Sequence, residues 1–142
     1  MIDIIPGVHL TTAALSAERL RMEVTAANIA NINTTRGLDG KPYQRQHVVF
    51  ETALRQASGD LGVTPDQLIA SRVEKDHRPP HLVYEPGHPD ANSDGMVAMP
   101  NINMHEEMVD LITASRAFEG NLAVMKNARS LALQSLAIGK RV

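Results

Sequence analysis

Apolar residues near the start of the chain recur at alternating intervals of three and four. The series is Leu10, Ala13, Ala17, Leu20, Val24 and Ala27, continued by Asn31. These intervals place the residues on one face of an α-helix, and Pro6 suits the first turn because no N–H partner is needed there. The pattern predicts an amphipathic helix over residues 7–31, with a length of about 37 Å.

A longer series of the same kind predicts a second helix over residues 104–138. Its members are Met104, Met108, Leu111, Ser115, Phe118, Leu122, Met125, Arg129, Ala132 and Leu136. Ser115 and Arg129 are its two polar interruptions. Other apolar positions widen the stripe, so that this helix can contact more than one neighbour: Ala114, Ala117, Val124, Ala128 and Leu131.

Turn-forming residues dominate the middle of the chain. Seven of the eight prolines lie between residues 32 and 103, and short strands are predicted at 47–50, 67–73, 81–84 and 96–99. The predicted fold is mainly α with a small β region. Long N- and C-terminal helices pack as a coiled-coil-like pair, with a short, irregular, β-rich insertion between them. The corresponding division is a terminal helical assembly domain, residues 1–33 and 100–142, and a central region, residues 34–99.

Composition narrows the functional classes. Aromatic residues are only 3% of the chain, which argues against a pocket that stacks rings or bases. The net charge is -2 and no basic block occurs, so nucleic acid is not an expected partner. No apolar run is long enough for membrane insertion. The first residues lack the features of a cleaved signal peptide, so export would need another route.

The sequence contains no recognised catalytic set, cofactor motif or metal-ligand pattern. His77, His81 and His88 are the only clustered histidines, and their spacing matches no recognised zinc pattern. Asn103 is the expected N-cap of the second helix. Glu106 and Glu107 are therefore interpreted as charges that favour a helix start, rather than as a general acid and base. We expect a protein that is not an enzyme.

Two helices paired only with each other would form a marginal hairpin. The conformational entropy lost when both helices become ordered outweighs the free energy gained by burying one shared apolar stripe. This favours helices that complete their burial against other subunits. Three alternatives stay open at this point. The helices could pack on the middle region as an ordinary α+β core, or the chain could be a stand-alone coiled-coil adaptor that dimerises. It could also be a small metal-binding or hydrolytic protein that uses the histidines.

Two segments carry a family resemblance. Residues 27–35, ANIANINTT, and residues 106–119, EEMVDLITASRAFE, resemble the signatures of flagellar rod, hook and hook-associated proteins. Residues 79–92 and 99–103 make the chain most similar to the proximal rod proteins of the flagellar basal body. The family commonly has Ser, Tyr and Ala where this chain has Ala27, Phe118 and Gly120.

The resemblance implies a structural subunit that polymerises through its terminal helices into a hollow, torque-transmitting shaft. It implies export through the flagellar type III apparatus without a cleaved signal, and a periplasmic location. The implied neighbours are copies of itself, other rod proteins and the basal-body or export-gate components. The predicted subunit interface joins Asn28 of the first signature to members of both series: Leu10, Ala13, Ala17, Leu20, Val24, Ala27, Asn31, Met104, Met108, Leu111, Ser115, Phe118, Leu122, Met125, Arg129 and Leu136.

Overall fold

The computed structural model describes residues 6–54 and 67–139. The elements in chain order are α1 (Pro6–Ala30), β1 (Gln46–Leu54), β2 (Gln67–Lys75), β3 (His81–Tyr84), β4 (Met96–Met99) and α2 (Met104–Gly139). The predicted fold class is confirmed: two long terminal helices pack together, with small two-stranded sheets between them in sequence. The parts of the predicted helical domain at residues 1–5 and 140–142 lie outside the described residues.

The two helices run antiparallel. Arg21 in α1 reaches Asp110 in α2, with 3.2 Å between Nη2 and Oδ1. About two turns later in α1, Asn28 meets the earlier residue Glu107, with 2.9 Å between Nδ2 and Oε2. Later positions in α1 therefore pair with earlier positions in α2, so the end of α1 lies beside the start of α2.

Small apolar residues are enclosed in the contact between the helices. Ala17 is 3% exposed and Ala114 is 0% exposed, so both are enclosed although neither has a long side chain. Alanine at such positions lets two helix backbones approach one another closely, and longer side chains then pack beside the contact rather than within it. Val24 is the larger buried residue of α1.

The inward face of α2 is offset from the predicted series. Burial along α2 follows positions 107, 111, 114, 118, 121, 125, 128 and 132, which are also spaced by four and three. This face shares Leu111, Phe118, Met125 and Ala132 with the prediction. The remaining inward positions carry Glu107, Ala114, Asn121 and Ala128. The predicted series lay one residue further on at these positions, because Met108 and Leu122 are larger and more apolar than Glu107 and Asn121.

The helices differ in length, and α2 extends beyond the start of α1. The Arg21–Asp110 pair, followed back along α1 at an equal rise, puts Pro6 opposite a position about fifteen residues further along α2, near Met125. The last stretch of α2 therefore has no α1 segment beside it. Leu131, Leu136 and Ile138 in this stretch are 64%, 61% and 71% exposed.

Side-chain hydrogen bonds cap the end of α1 and the start of α2, which lie side by side. The Asn31 amide donates to the Ala27 carbonyl at 2.8 Å, and a turn over residues 31–33 follows α1. Asn103 is confirmed as the N-cap of α2, because its Oδ1 accepts from the His105 N–H at 3.1 Å. Asparagine therefore closes one helix and opens the other at the same end of the pair.

The middle region contains two separate antiparallel sheets. Strands β1 and β2 pair from Gln46 with Lys75 to Leu54 with Gln67, and both strands contact α1. Strands β3 and β4 pair from His81 with Met99 to Tyr84 with Met96. The predicted bounds of β3 and β4 are confirmed, whereas β1 and β2 are longer than predicted because their pairing continues past the short apolar core of each strand.

The turn before β4 depends on glycine. Gly95 has φ +73°, and a Cβ at this position would lie 2.9 Å from Tyr84 Cε2 and 3.1 Å from Pro86 Cβ. Gly40 has the same φ, but a Cβ added there would meet no heavy atom within 4 Å. The two glycines therefore share one backbone constraint and differ in crowding.

We expect Gly95→Ala to lower the free energy of unfolding by about 2–3 kcal/mol and Gly40→Ala by about 1 kcal/mol. The left-handed backbone penalises both variants, and only Gly95→Ala adds a clash with Tyr84 and Pro86. Urea unfolding of the two variants beside the parent measures the difference. Equal losses would contradict a steric role for Gly95.

Candidate helical interface and its buried polar cluster

The predicted interface residues of α1 divide into an inward set and an exposed set. Ala17, Val24 and Asn28 are buried, and Ala13, Leu20 and Asn31 are half-buried. Leu10 and Ala27 are exposed. Most of this series therefore faces the interior of the chain, where it packs the helix pair.

The predicted interface residues of α2 are more exposed. Leu111, Ser115, Phe118, Leu122 and Met125 are half-buried along the middle of the helix. Met104, Met108, Arg129 and Leu136 are exposed, two near the start and two in the stretch beyond α1. The fold thus uses the middle of α2 for its own packing and leaves both ends of the series on the surface.

Asn28 has every hydrogen-bonding position of its side chain occupied. Its Nδ2 donates to the Gln46 carbonyl at 2.7 Å and to Glu107 Oε2 at 2.9 Å. Its Oδ1 accepts from the Gln46 N–H at 3.0 Å and from Tyr43 Oη at 3.1 Å. Two donors and two acceptors are the full capacity of an amide, so this 1% exposed side chain has no unmet polar atom.

Glu107 is a carboxylate that is 1% exposed, which requires compensation of its charge. Its Oε1 accepts from Arg45 Nε at 2.6 Å, and its Oε2 accepts from Asn28. Burial and the negative charge of Glu107 both raise the pKa of Tyr43, burial being the larger cause. We call Asn28, Tyr43, Arg45 and Glu107 the Asn28 cluster.

Charged residues at the rim extend the Asn28 cluster across the helix pair. Arg45 Nη2 lies 3.7 Å from Asp110 Oδ2, and Asp110 Oδ1 accepts from Arg21 at 3.2 Å. The cluster and its rim join α1, the segment before β1, and α2. The arrangement fixes where the middle region leaves the helices, and it has no nucleophile or open coordination position.

Sequence reasoning identified only part of this cluster. Asn28 was among the predicted site residues, but Tyr43, Arg45 and Glu107 were not. Glu106 matches the helix-start interpretation, because its Oε1 accepts from the Asn103 amide at 3.2 Å. Glu107 has a further role in the buried network. The available signal was a polar residue at an inward position of each heptad series, since Asn28 follows Val24 by four and Glu107 precedes Leu111 by four.

The described residues contain no cluster of three or more potential metal ligands. His77 and His81 are exposed, and His88 Nδ1 accepts from the Asp90 N–H at 3.1 Å within its own turn. Among the described helices, none is both long and apolar enough to cross a membrane.

A second ion pair organises the turn after β2. The Asp76 carboxylate accepts from Arg78 Nε at 2.8 Å and from the Arg78 N–H at 2.9 Å. The side-chain bond is the larger cause that lowers the pKa of Asp76 from an ordinary 3.8 to about 2. Near the other sheet, the hydrogen bond from Thr35 is the main cause of a lowered pKa at Asp90.

Two segments of the chain match protein families. Residues 11–36 match the family described as "Flagella basal body rod protein". Residues 93–138 match the family described as "Flagellar basal body rod FlgEFG protein C-terminal". The first match covers most of α1, including Asn28, and the second covers nearly all of α2, including Glu107.

Sequence similarity to individual proteins extends over almost the whole chain. The flagellar basal-body rod protein FlgC of Borreliella burgdorferi is 39% identical, with 93% of this chain and 95% of the relative covered. The protein of the same name from Salmonella typhimurium is 37% identical, with 90% and 92% covered. That from Bacillus subtilis is 33% identical, with 94% and 97% covered.

We expect Asn28→Asp to destabilise the chain by about 3 kcal/mol or more at neutral pH, because it sets two carboxylates side by side at positions that are each 1% exposed. Glu107→Gln in the same chain restores an amide–carboxylate pair. The double variant should therefore be at least about 1 kcal/mol more stable than the two single losses predict. Urea unfolding of all four chains measures this coupling, and strict additivity would contradict a direct Asn28–Glu107 interaction.

Asp76 makes the free energy of unfolding depend on pH in the acidic range. A carboxyl group whose pKa is lower in the folded chain contributes stability at pH values above its unfolded pKa of about 4. For Asp76 this contribution is lost as the pH falls from there to about 2. We expect Asp76→Asn to unfold with a shallower dependence on pH in this window. Titration of the Asp76 carboxyl carbon by NMR gives the pKa directly, and a midpoint near 4 would refute the assignment.

Proposed function

Since the chain belongs to the FlgC family of flagellar basal-body rod proteins, and is a non-enzymatic structural component of the rod, we propose that it enters the rod through its two terminal helices. Family membership also means that it assembles with other rod proteins in the flagellar basal body. It favours a rod subunit over the stand-alone adaptor and over a metal-binding or hydrolytic protein.

The two parts of the chain take different places in this assembly. The helical domain, residues 1–33 and 100–142, lines a hollow shaft, and the central region, residues 34–99, faces outward. The chain reaches the periplasm without a cleaved signal peptide, through the flagellar type III apparatus. Its neighbours are copies of itself, other rod proteins and basal-body or export-gate components, and the shaft carries motor torque.

The exposed apolar surface of α2 is the observation that carries this proposal. Leu131, Leu136 and Ile138 are each more than 60% exposed in the stretch that extends beyond α1. Nearer the start of α2, Val109 and Ile112 are 62% and 53% exposed. Such a long helix with apolar residues on several sides is typical of one that is buried by neighbouring molecules.

The Asn28 cluster supports the same function in another way. A subunit that transmits torque must hold its helices and its central region in a fixed relation. Asn28 and Arg45 both bind Glu107, so one carboxylate of α2 joins α1 and the segment that leads into β1. The cluster therefore stiffens the point at which force would pass between the shaft and the central region.

We expect Leu136→Asp to block incorporation into the rod and to abolish swimming, because it brings an unpaired charge into a surface that assembly buries. Leu136 is exposed in the free chain, so the variant should keep the helical content and unfolding midpoint of the parent. Gln134→Asp adds the same charge two residues earlier on an exposed, polar position and is the matched control.

Swimming on soft agar and the presence of the variant in isolated basal bodies measure the outcome. Incorporation of Leu136→Asp at the level of the control would contradict assembly through this part of α2.

A further inference from the structure

Strand β1 has an outer edge that begins beside α1. Arg45 and Asp76 form a hydrogen-bonded pair at the start of the hairpin, because the Asp76 N–H donates to the Arg45 carbonyl at 2.7 Å. In an antiparallel ladder such pairs alternate with pairs whose N–H and C=O groups point away from the partner strand. The backbone groups of Gln46, Val48 and Phe50 therefore point to the outer edge of β1, away from β2.

The side chain of Asn28 occupies the first position of this edge. Its Oδ1 accepts from the Gln46 N–H at 3.0 Å, and its Nδ2 donates to the Gln46 carbonyl at 2.7 Å. This two-point contact is the one that a residue of a neighbouring strand makes. The contact ends there, and within residues 6–54 and 67–139 no group bonds to the outer edge at Val48 or Phe50.

The open part of the edge lies along a cleft of about 570 Å³ between the helices and β1. Such a volume falls within the roughly 300–1,000 Å³ that is usual for binding sites. Val24, Val48 and Phe50 contribute apolar surface to the cleft. His47 also lines it, and the buried Nδ1 of His47 has no hydrogen-bond partner among the described residues. The cleft therefore combines apolar surface with unpaired polar groups.

The charged residues that line the cleft are already paired within the chain. The distances lie between 2.6 and 3.2 Å, and the pairs are Arg45 with Glu107, Arg21 with Asp110, and Arg78 with Asp76. A charged occupant would have to break one of these pairs or stay unpaired, so the cleft favours an uncharged one. Strand β2 of a second copy is a poor fit, because three of its last four residues are charged.

We propose that the outer edge of β1 at Val48 and Phe50 receives an extended, uncharged segment of a neighbouring basal-body protein as an added strand. The backbone of that segment pairs with the two open residues, and its apolar side chains pack in the cleft. Strand edges that no charge, proline or covering segment blocks are the usual sites of such addition. The inference goes beyond the proposed function, because it concerns the central region rather than the terminal helices.

Proline substitution tests whether the contact is made by the backbone. Val48→Pro removes an N–H that β2 does not use, so the hairpin should still form, which circular dichroism checks. Val73→Pro is the matched control, because Val73 pairs with Val48 and its N–H points to the opposite edge of the hairpin. Val48→Ala is a second control that keeps the N–H.

We expect Val48→Pro to lower the amount of the chain recovered in isolated basal bodies several-fold, with both controls at the level of the parent. Recovery of Val48→Pro at the parent level would overturn the proposal. An equal loss with Val48→Ala would overturn it as well, because the side chain rather than the backbone would then make the contact.

Amide hydrogen exchange of the unsubstituted chain tests the same edge. In the free chain the amides of Val48 and Phe50 should exchange rapidly, whereas the amide of Val49, which faces β2, should be protected. In isolated basal bodies we expect exchange at Val48 and Phe50 to slow by about tenfold or more, and exchange at Val73 to stay unchanged. Equal rates in the two samples would refute an added strand. Protection that appears on concentrating the free chain would identify a second copy as the occupant and refute the choice of partner.

The outcomes separate this inference from the proposed function. If Leu136→Asp is excluded from the rod while Val48→Pro enters as the parent does, assembly through α2 stands and the added strand is refuted. If Leu136→Asp enters normally while Val48→Pro is excluded, the proposed function fails and the added strand stands.

Discussion

The carboxylate of Glu107 is the constraint on which the rest of the structure depends. An unpaired charge with 1% exposure would cost several kcal/mol, so the fold must supply partners that stay in place. Asn28 from α1 and Arg45 from the segment before β1 fill that role. Because each partner comes from a different part of the chain, satisfying this one charge sets the relative position of three segments.

A buried polar contact also specifies register better than apolar packing does. Apolar faces tolerate sliding, since many alternative contacts bury a similar area. A shift of one helix turn would instead leave both Asn28 and Glu107 buried without their hydrogen-bond partners. The small residues Ala17 and Ala114 then allow close approach on the same face. The helix pair is thus held by a specific polar contact at one end, with packing along its length.

That arrangement leaves the far end of α2 exposed among the residues 6–54 and 67–139 that the structure describes. Pairing is fixed where α1 ends and α2 begins, so the excess length of α2, which has 36 residues against 25 in α1, is displaced entirely to the other end. The exposed apolar residues beyond α1 support the proposal that this surface is buried on assembly, and the contact between Asn28 and Glu107 determines where that surface projects.

The sequence by itself determined both helices, the N-cap Asn103 and strands β3 and β4, because these depend on local spacing and on residues near one another in the chain. It also indicated the family, through the segments around Asn28 and Glu107. Only the tertiary structure decided which face of α2 turns inward, since small and hydrogen-bonded residues won those positions over bulkier apolar ones such as Met108. The pairing of Glu107 with Asn28 and Arg45 joins residues up to 79 apart in sequence, and no local pattern encodes a partner at that distance.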